Sequence, residues 1–256
     1  MSMNLLSYAK TGYFLIRQLY IRILEILFVD QPTDFKQIPI IINNYNRVSY
    51  LKILIESLEE RGYRNIYIID NNSTYPLLLE YYKMIPYKVF RLDKNFGYLS
   101  FWKSGIYKKF RNQYFVYTDS DVVPINQCPD NFLSHFYDLM KHYPRASKVG
   151  FALCIDDLPS CFSNKNKVIE WEKQFWSKEI EKDIYLAPID TTFALYRPNI
   201  KGPAYFHDFM LRTGGVYQAK HLPWYNDDNH LSEEEKYYIE HAVSSTHWTK
   251  RMKTNL

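Results

Sequence analysis

The stretch of sequence that decides the fold is YFVYTDSD, residues 114–121. Residues 114–119 concentrate aromatic and β-branched side chains, which is typical of a buried strand. Asp119 and Asp121 follow where the chain is expected to leave that strand. Carboxylates at this spacing can turn toward one point, and such hard oxygen ligands suit Mg²⁺ or Mn²⁺ shared with substrate phosphates. The same pair also occurs in solvated turns, so the surrounding pattern has to decide between the two interpretations.

Three earlier segments have the same character as residues 114–119. They are IPIII (38–42), NIYIID (65–70) and YKVFRL (87–92), and each predicts a short strand. Helical periodicity separates them, and the predicted helices are one over 48–63, one capped by Ser73 or Thr74 with Pro76 in its first turn, and one over 98–110. This alternation predicts βα units around a mostly parallel sheet. Open sheets of this kind bind ligands at the carboxyl ends of their strands.

After residue 122 the alternation of predicted strands and helices becomes less regular. We expect a helix near 130–143, a strand over 148–155, a helical stretch over 166–181 and a final helix that a capping box of Ser232 and Glu235 opens. No linker rich in Pro, Gly or Ser divides the chain, and no internal repeat is visible. One continuous domain over 31–256 is therefore predicted.

Composition excludes several classes of protein. Of 256 residues, 46% are hydrophobic and 23% charged, which is enough apolar content for a folded core and excludes a disordered chain. The net charge of +4 is too small to indicate a nucleic-acid partner. Three cysteines without CxxC spacing indicate neither a disulfide framework nor a cysteine zinc site, and they favour a reducing compartment.

The first 30 residues predict an amphipathic helix. Charged residues interrupt the apolar run over 4–29 too often for a membrane span, and no signal-peptide cleavage site follows it. At 100° per residue the polar side chains share one arc, and its charged members are Lys10, Arg17, Arg22 and Glu25. Two interpretations stay open: a helix packed on the domain, or an in-plane anchor on an anionic membrane.

The four predicted strand ends together carry a recognisable set of motifs. In chain order they are Asn44-Tyr45-Asn46-Arg47, Asp70, Asn95-Phe96-Gly97 and Asp119-Ser120-Asp121. In this combination the chain resembles the family 2 glycosyltransferases and related GT-A enzymes, strongly over about 38–125 and more loosely beyond 150. The resemblance implies an α/β fold of GT-A type, with a mostly parallel central sheet in a Rossmann-like nucleotide-sugar-binding half (31–125). A continuous acceptor half (126–256) follows, and the amphipathic helix (1–30) precedes both.

The resemblance also implies roles for single residues. Asn44 and Arg47 would lie near the nucleotide, Asp70 would accept a hydrogen bond from uracil or an equivalent base, and Asn95 with Gly97 would shape the donor wall. Asp119 would face the ribose or the water shell of the metal, and Asp121 would bind the Mn²⁺ or Mg²⁺ that bridges the diphosphate. A divalent cation there stabilises the charge that builds on the departing nucleoside diphosphate.

The catalytic base is less well defined. Asp190 is the first candidate for activating an acceptor hydroxyl, although an ordinary turn residue is an equally good interpretation. The Glu-Asp pair of many relatives is absent, and Glu234 within the acidic run 233–235 occupies the analogous place, where a helix dipole alone also favours acids. This leaves the anomeric configuration of the product open. His221 is the best match for a further metal ligand, with His247 as its rival.

The predicted function is transfer of a sugar from a nucleotide-sugar, a UDP-sugar by expectation, to a hydroxyl of a glycan or lipid-linked glycan. The expected location is the cytoplasm, and peripheral association with an anionic membrane is expected if residues 1–30 are an in-plane anchor. A sugar-phosphate nucleotidyltransferase is an alternative, but residues 43–46 lack the glycine-rich loop that it normally needs. A catalytically inactive glycan-binding module of the same fold is the second alternative.

Overall fold

The computed structural model describes residues 31–200 and 209–242. Before residue 31 it describes residues 12, 13, 16, 19, 20, 22, 23, 25 and 27–29. The predicted single domain over 31–256 includes two stretches, 201–208 and 243–256, that lie outside the described residues.

Four parallel strands form the first half of the sheet. They are β1 (Ile40–Asn44), β2 (Ile66–Asp70), β3 (Lys88–Arg91) and β4 (Phe115–Asp119), and they lie side by side in the order β3-β2-β1-β4. Each was predicted from its apolar run to within two residues at either end. The β1 run is apolar on both sides because the sheet is covered on both faces there: Ile40 and Ile42 belong to one core cluster, and Ile41 belongs to the other. The edge strand β3 is exposed at Lys88 and Arg91.

Helices connect these strands. Helix α1 (Ser49–Glu60) joins β1 to β2, and α2 (Pro76–Met84) joins β2 to β3. Proline at the first position begins α2, as predicted, but its cap residue is Tyr75 and no side chain caps it, so the predicted Ser73 or Thr74 cap is wrong. The predicted helix over 98–110 is a single helical turn, α3 (Ser100–Lys103), between two 3-10 segments. Gly105, with φ of +79°, separates α3 from the second of these segments.

The second half extends the same sheet with mixed pairing. After the short strand β5 (Val122–Pro124) come helix α4 (Phe132–His142), strand β6 (Ala146–Leu153) and helix α5 (Lys165–Glu172), followed by strands β7 (Glu179–Glu181), β8 (Ile184–Leu186), β9 (Ala194–Tyr196) and β10 (Phe209–His221). Strand β9 pairs antiparallel with both β4 and β6, while β6 and β10 are parallel. The ten strands form one sheet, and this mixed α/β architecture, parallel in its first half, confirms the predicted GT-A fold class.

The last described helix, α6 (Glu233–His241), begins at the predicted cap. The Ser232 hydroxyl accepts a hydrogen bond of 3.2 Å from the Glu235 backbone N–H. At its other end, the backbone carbonyl of His241 accepts from the Tyr45 hydroxyl at 2.8 Å. Since Tyr45 follows directly after β1, α6 packs over the carboxyl end of that strand.

The described residues between 12 and 28 are helical, as the amphipathic pattern predicts. They contact the domain through charged side chains. Arg197 Nη1 lies 2.7 Å from Glu25 Oε1, Tyr114 donates to the same carboxylate, and Arg22 donates to the carbonyl of Ala146 at 3.0 Å. No helix within the described residues is long and apolar enough to span a membrane. Lys10 and Arg17 of the predicted polar arc lie outside the described residues.

Candidate active site

The strand register brings the predicted motifs to one edge of the sheet. Asn43 lies opposite Asp119 in the β1–β4 pairing, and Asn44 lies opposite Asp70 in the β1–β2 pairing. The end of β1 therefore lies between the predicted base-binding carboxylate and the first carboxylate of the Asp-Ser-Asp motif. This is the edge at which parallel α/β sheets bind their ligands.

Asp119 is held by side chains from two directions. Asn43 Nδ2 donates to its Oδ1 at 3.1 Å, and the Thr191 hydroxyl donates to its Oδ2. Burial raises the pKa of the Asp119 carboxyl from 3.8 to about 7, with a smaller contribution from the neighbouring charge of Asp121. Both oxygens thus have protein partners, and this carboxylate sits in an environment that resists its charge.

Asp121 lies deeper in the site than a turn residue would. It is 8% exposed, and its Oδ2 lies 2.6 Å from Arg47 Nη1. His221 Nε2 is 3.7 Å from the same oxygen. The other oxygen, Oδ1, is buried without a hydrogen-bond partner. A buried carboxylate oxygen without a partner is costly, so this atom marks a place where a ligand would bind.

The residues around Asp121 fit a divalent cation in part. Burial lowers the pKa of His221, which keeps its imidazole neutral and able to bind a metal, and its Nδ1 is also buried without a partner. Within the described residues, however, no group of three or more His, Cys, Asp or Glu side chains is arranged to hold a metal. Mg²⁺ usually takes one or two protein carboxylates completed by substrate phosphates, and Asp121 supplies one such carboxylate with an oxygen that has no hydrogen-bond partner.

Arg47 connects the motif to helix α6. Its Nε and Nη2 lie 3.0 Å from the carboxylate oxygens of Glu235, and its guanidinium stacks 3.7 Å above the ring of Tyr238. Arg47 is thus buried between Asp121 and Glu235. The sequence indicated neither partner, because Asp121 is 74 residues and Glu235 is 188 residues away from Arg47.

Glu234 caps helix α1. Both of its carboxylate oxygens accept from the Ser49 backbone N–H, at 3.0 and 3.1 Å, and one also accepts from the Ser49 hydroxyl. Helix α1 has no side-chain cap of its own, so this contact from α6 supplies one. The contact explains the burial of Glu234 and gives it a structural role alongside its predicted role as a base.

Asp70 is fully buried at the end of β2. It accepts from the Ser73 backbone N–H at 3.3 Å and from the Tyr82 hydroxyl at 3.3 Å, and Arg91 Nε lies 3.1 Å from its other oxygen. Tyr82 in turn accepts from Asn44 Nδ2 at 2.9 Å. Tyr82, on helix α2, thereby links Asn44 and Asp70, the residues predicted to contact the nucleotide.

The Asn95-Phe96-Gly97 turn is fixed by a residue that sequence reasoning missed. Asn71 accepts from the Phe96 backbone N–H at 2.8 Å and donates to the Gly97 carbonyl at 3.0 Å. Asn95 accepts from the Gly97 backbone N–H, and Gly97 adopts φ of +62°, as the turn requires. The polar pair Asn71-Asn72 directly after β2 was the available signal for this contact.

The loop that carries Asp190 is attached to the site at three points. Asp190 itself is exposed, and Thr191 next to it contacts Asp119. Lys148 Nζ, on β6, donates to the Asp190 carbonyl at 3.0 Å, and Arg212 Nε, on β10, donates to the Pro188 carbonyl at 2.8 Å. Both cations are buried. A charged residue inside an apolar strand pattern, such as Lys148 in KVGFALCI, was the sequence signal for this attachment.

The rival histidine, His247, lies outside the described residues. His221 is therefore the histidine whose position near Asp121 is described, at the end of β10.

The carboxyl edge of this GT-A sheet thus carries Asp119-Ser120-Asp121 together with the other three motifs, an arrangement typical of a glycosyltransferase. The family model described as glycosyl transferase family 2 matches residues 40–199, more than half of the chain. The chain belongs to this family. No curated protein sequence matches it.

Solved structures give distant matches. A mannosyltransferase of Pyrobaculum calidifontis, in complex with GDP-Man and Mn²⁺, aligns with a TM-score of 0.46 and 13% identity over 91% of this chain and 70% of its own. GalNAc-T7 with UDP, GalNAc and Mn²⁺ aligns with a TM-score of 0.45 and 15% identity, over 72% of this chain and 43% of its own. The family assignment rests on the family model and not on these alignments.

Proposed function

We propose that the chain transfers a sugar from a UDP-sugar to a hydroxyl of a glycan or lipid-linked glycan, with Mn²⁺ or Mg²⁺ at Asp121. The single observation that carries the proposal is the environment of Asp121. Its buried, unpartnered Oδ1 lies at the carboxyl edge of the sheet beside a neutral histidine and a buried arginine. A diphosphate with its cation is the ligand that this combination of charges suits.

The donor would lie across the ends of β1, β2 and β4. Asp70 and Asn44 are the residues proposed for the nucleoside, and Asn95 with Gly97 for the wall of the pocket. Asp121 and His221 would hold the cation, and Asp119 would contact the ribose or the water shell of the metal. When bound, the cation supplies charge stabilisation for the departing diphosphate. Arg47 supplies a second positive charge beside Asp121.

Asp190 is the proposed general base. In the reaction, the bond between the anomeric carbon and the diphosphate oxygen breaks, and a bond from the acceptor oxygen to that carbon forms. The acceptor hydroxyl gives its proton to the Asp190 carboxylate, and the nucleoside diphosphate leaves. The exposed position of Asp190, one residue from the Thr191 contact with Asp119, supports this assignment over Glu234, whose oxygens cap α1.

The proposal includes a cytoplasmic location, with peripheral association with an anionic membrane. The three free cysteines support a reducing compartment. A lipid-linked acceptor would be presented at that membrane.

A donor screen tests the function. The full chain with Mn²⁺ is incubated with each common nucleotide-sugar, and release of free nucleoside diphosphate is scored by mass spectrometry, with EDTA as the control. We expect UDP release from one UDP-sugar and none after chelation. Pyrophosphate formed from a sugar 1-phosphate and UTP would instead identify a nucleotidyltransferase. Absence of any turnover or donor binding would identify an inactive module.

A further inference from the structure

The helical residues between 16 and 27 turn large apolar side chains toward solvent. Five of them have exposed fractions between 45% and 71%: Ile16, Leu19, Tyr20, Ile23 and Leu27. At 100° per residue these five fall within an arc of about 100°, which makes one continuous stripe along the helix. We call these five residues the outward face. An apolar stripe of this kind on a surface marks an interaction site.

Two described residues on the opposite side of the same helix, Arg22 and Glu25, are charged and contact the domain. Glu25 is 4% exposed and lies between Arg197, at 2.7 Å, and the Tyr114 hydroxyl. Arg22 lies 2.7 Å from Glu25 and donates to the Ala146 carbonyl. An ordinary surface helix packs its apolar side on the core and exposes its polar side. Here the buried ion pairs fix the reverse orientation, so the outward face is presented by a specific docking contact.

Exposed basic residues lie close in sequence to the residues that this helix contacts. Arg111 precedes Tyr114 by three residues, Arg145 adjoins Ala146, and both are exposed. Lys108 and Lys109 are exposed on the same segment as Arg111. An apolar stripe with cations nearby is the combination that binds the interfacial layer of an anionic membrane.

We propose that the outward face inserts in the plane of an anionic membrane, with Lys108, Lys109, Arg111 and Arg145 against the lipid headgroups. The helix lies on the membrane and does not cross it, in keeping with the absence of a spanning helix in the described part of the chain. A second copy of the chain fits the surface less well, because a two-fold contact at this stripe would bring two sets of the same cations together. Both interpretations of the N-terminal helix then apply together: it packs on the domain through its charges and binds lipid through its apolar side.

Vesicle sedimentation with the full chain tests the inference. We compare the wild type with the triple variant Ile16→Ser, Ile23→Ser, Leu27→Ser, in which only exposed side chains change. The matched control is Leu77→Ser with Met84→Ser, which removes two equally exposed apolar side chains of α2. Vesicles contain phosphatidylcholine alone or phosphatidylcholine with phosphatidylglycerol.

We expect the wild type and the α2 control to bind the anionic vesicles, more weakly at high salt, and the triple variant to bind at least about tenfold more weakly. Equal binding by the triple variant, or no binding by the wild type, would overturn the inference.

Molar mass by light scattering is the second measurement: a wild-type dimer that the triple variant converts to a monomer would show that a second copy covers the outward face and would overturn the inference. The inference rests on the proposed function for the membrane location only, and the assay uses neither donor nor acceptor. A failure here is therefore distinct from a failure of the donor screen.

Discussion

Arg47 Nη1 lies 2.6 Å from Asp121 Oδ2, with both side chains about nine-tenths buried. Arg47 also pairs with Glu235, so one guanidinium compensates two buried carboxylates. A buried charge that loses its partner is strongly destabilising. The ion pair thus fixes the position of the Asp121 carboxylate while leaving its Oδ1 without a protein hydrogen-bond partner.

Replacing Arg47 should destabilise the fold. In Arg47→Met both Asp121 and Glu235 lose their partner, and we expect the free energy of unfolding to fall by about 3–5 kcal/mol. Urea unfolding measures the free energy of unfolding of the wild type and the variant, and added Mn²⁺ should restore part of the stability that the variant loses. Arg64→Met is the matched control, because the Arg64 pair with Glu59 is largely exposed and should cost less than about 1 kcal/mol. Equal effects of the two variants would contradict this account of the pair.

Asp119 should make stability depend on pH. Its pKa is about 7 in the folded protein against an ordinary 3.8, so between these values the folded state holds a proton that the unfolded state has lost. Its contribution to stability is therefore complete below about pH 4 and is lost as the pH rises through 7, at about 1.4 kcal/mol for each unit of pKa difference. Asp119→Asn keeps the shape and does not titrate. Unfolding without divalent metal at pH 5 and pH 8 should show a smaller difference in the variant, and an unchanged difference would refute the assignment.

Asp190→Asn should separate catalysis from donor binding. Loss of a general base lowers kcat by about 100-fold or more, while the contacts to the donor stay in place. Steady-state kinetics and donor titration measure the two quantities, with Asp93→Asn as an exposed acidic control. Near-normal turnover at saturating acceptor would make Asp190 structural and direct attention to Glu234.

Lys148 should act as a positioning residue. Its ammonium holds the Asp190 carbonyl at 3.0 Å, so in Lys148→Met we expect kcat to fall about tenfold with donor affinity unchanged. The double variant with Asp190→Asn should lose little more than Asp190→Asn alone, since both changes act on the same loop. Fully additive effects would show that Lys148 acts elsewhere.

The sequence predicted the first half of the fold well because three of its four strands, β1, β2 and β4, are largely buried and give nearly continuous apolar runs. The predicted helix over 98–110 failed because Gly105 interrupts it with a left-handed conformation, which local periodicity does not reveal. For the Asp119 and Asp121 pair, one interpretation was a solvated turn, which would leave Asp121 exposed. It is buried instead, because Arg47 pairs with it and with Glu235 on α6, which is contributed from far along the chain.

In the candidate site, too, some features could be predicted from the sequence and others could not. The motifs after β1, β2 and β4 could be identified because parallel strands bring their carboxyl ends to one edge. The Glu234 contact with Ser49 and the Arg197 contact with Glu25 could not, since each joins segments more than 170 residues apart. The orientation of the N-terminal helix depends on the second of these contacts, and so the sequence left it open.

Calorimetric titration of UDP in the presence and absence of Mn²⁺ tests the central claim most directly, with the wild type, Asp121→Asn and the control Asp93→Asn. Asparagine is chosen over alanine because Asp121 is buried against Arg47, and the thermal transition is checked for each variant. We predict that Mn²⁺ tightens UDP binding to the wild type and to the control. In Asp121→Asn the Mn²⁺-dependent part of the affinity should be lost while the fold is retained. An unchanged Mn²⁺-dependent affinity in a folded Asp121→Asn variant would contradict the account, because the cation would then bind somewhere other than Asp121.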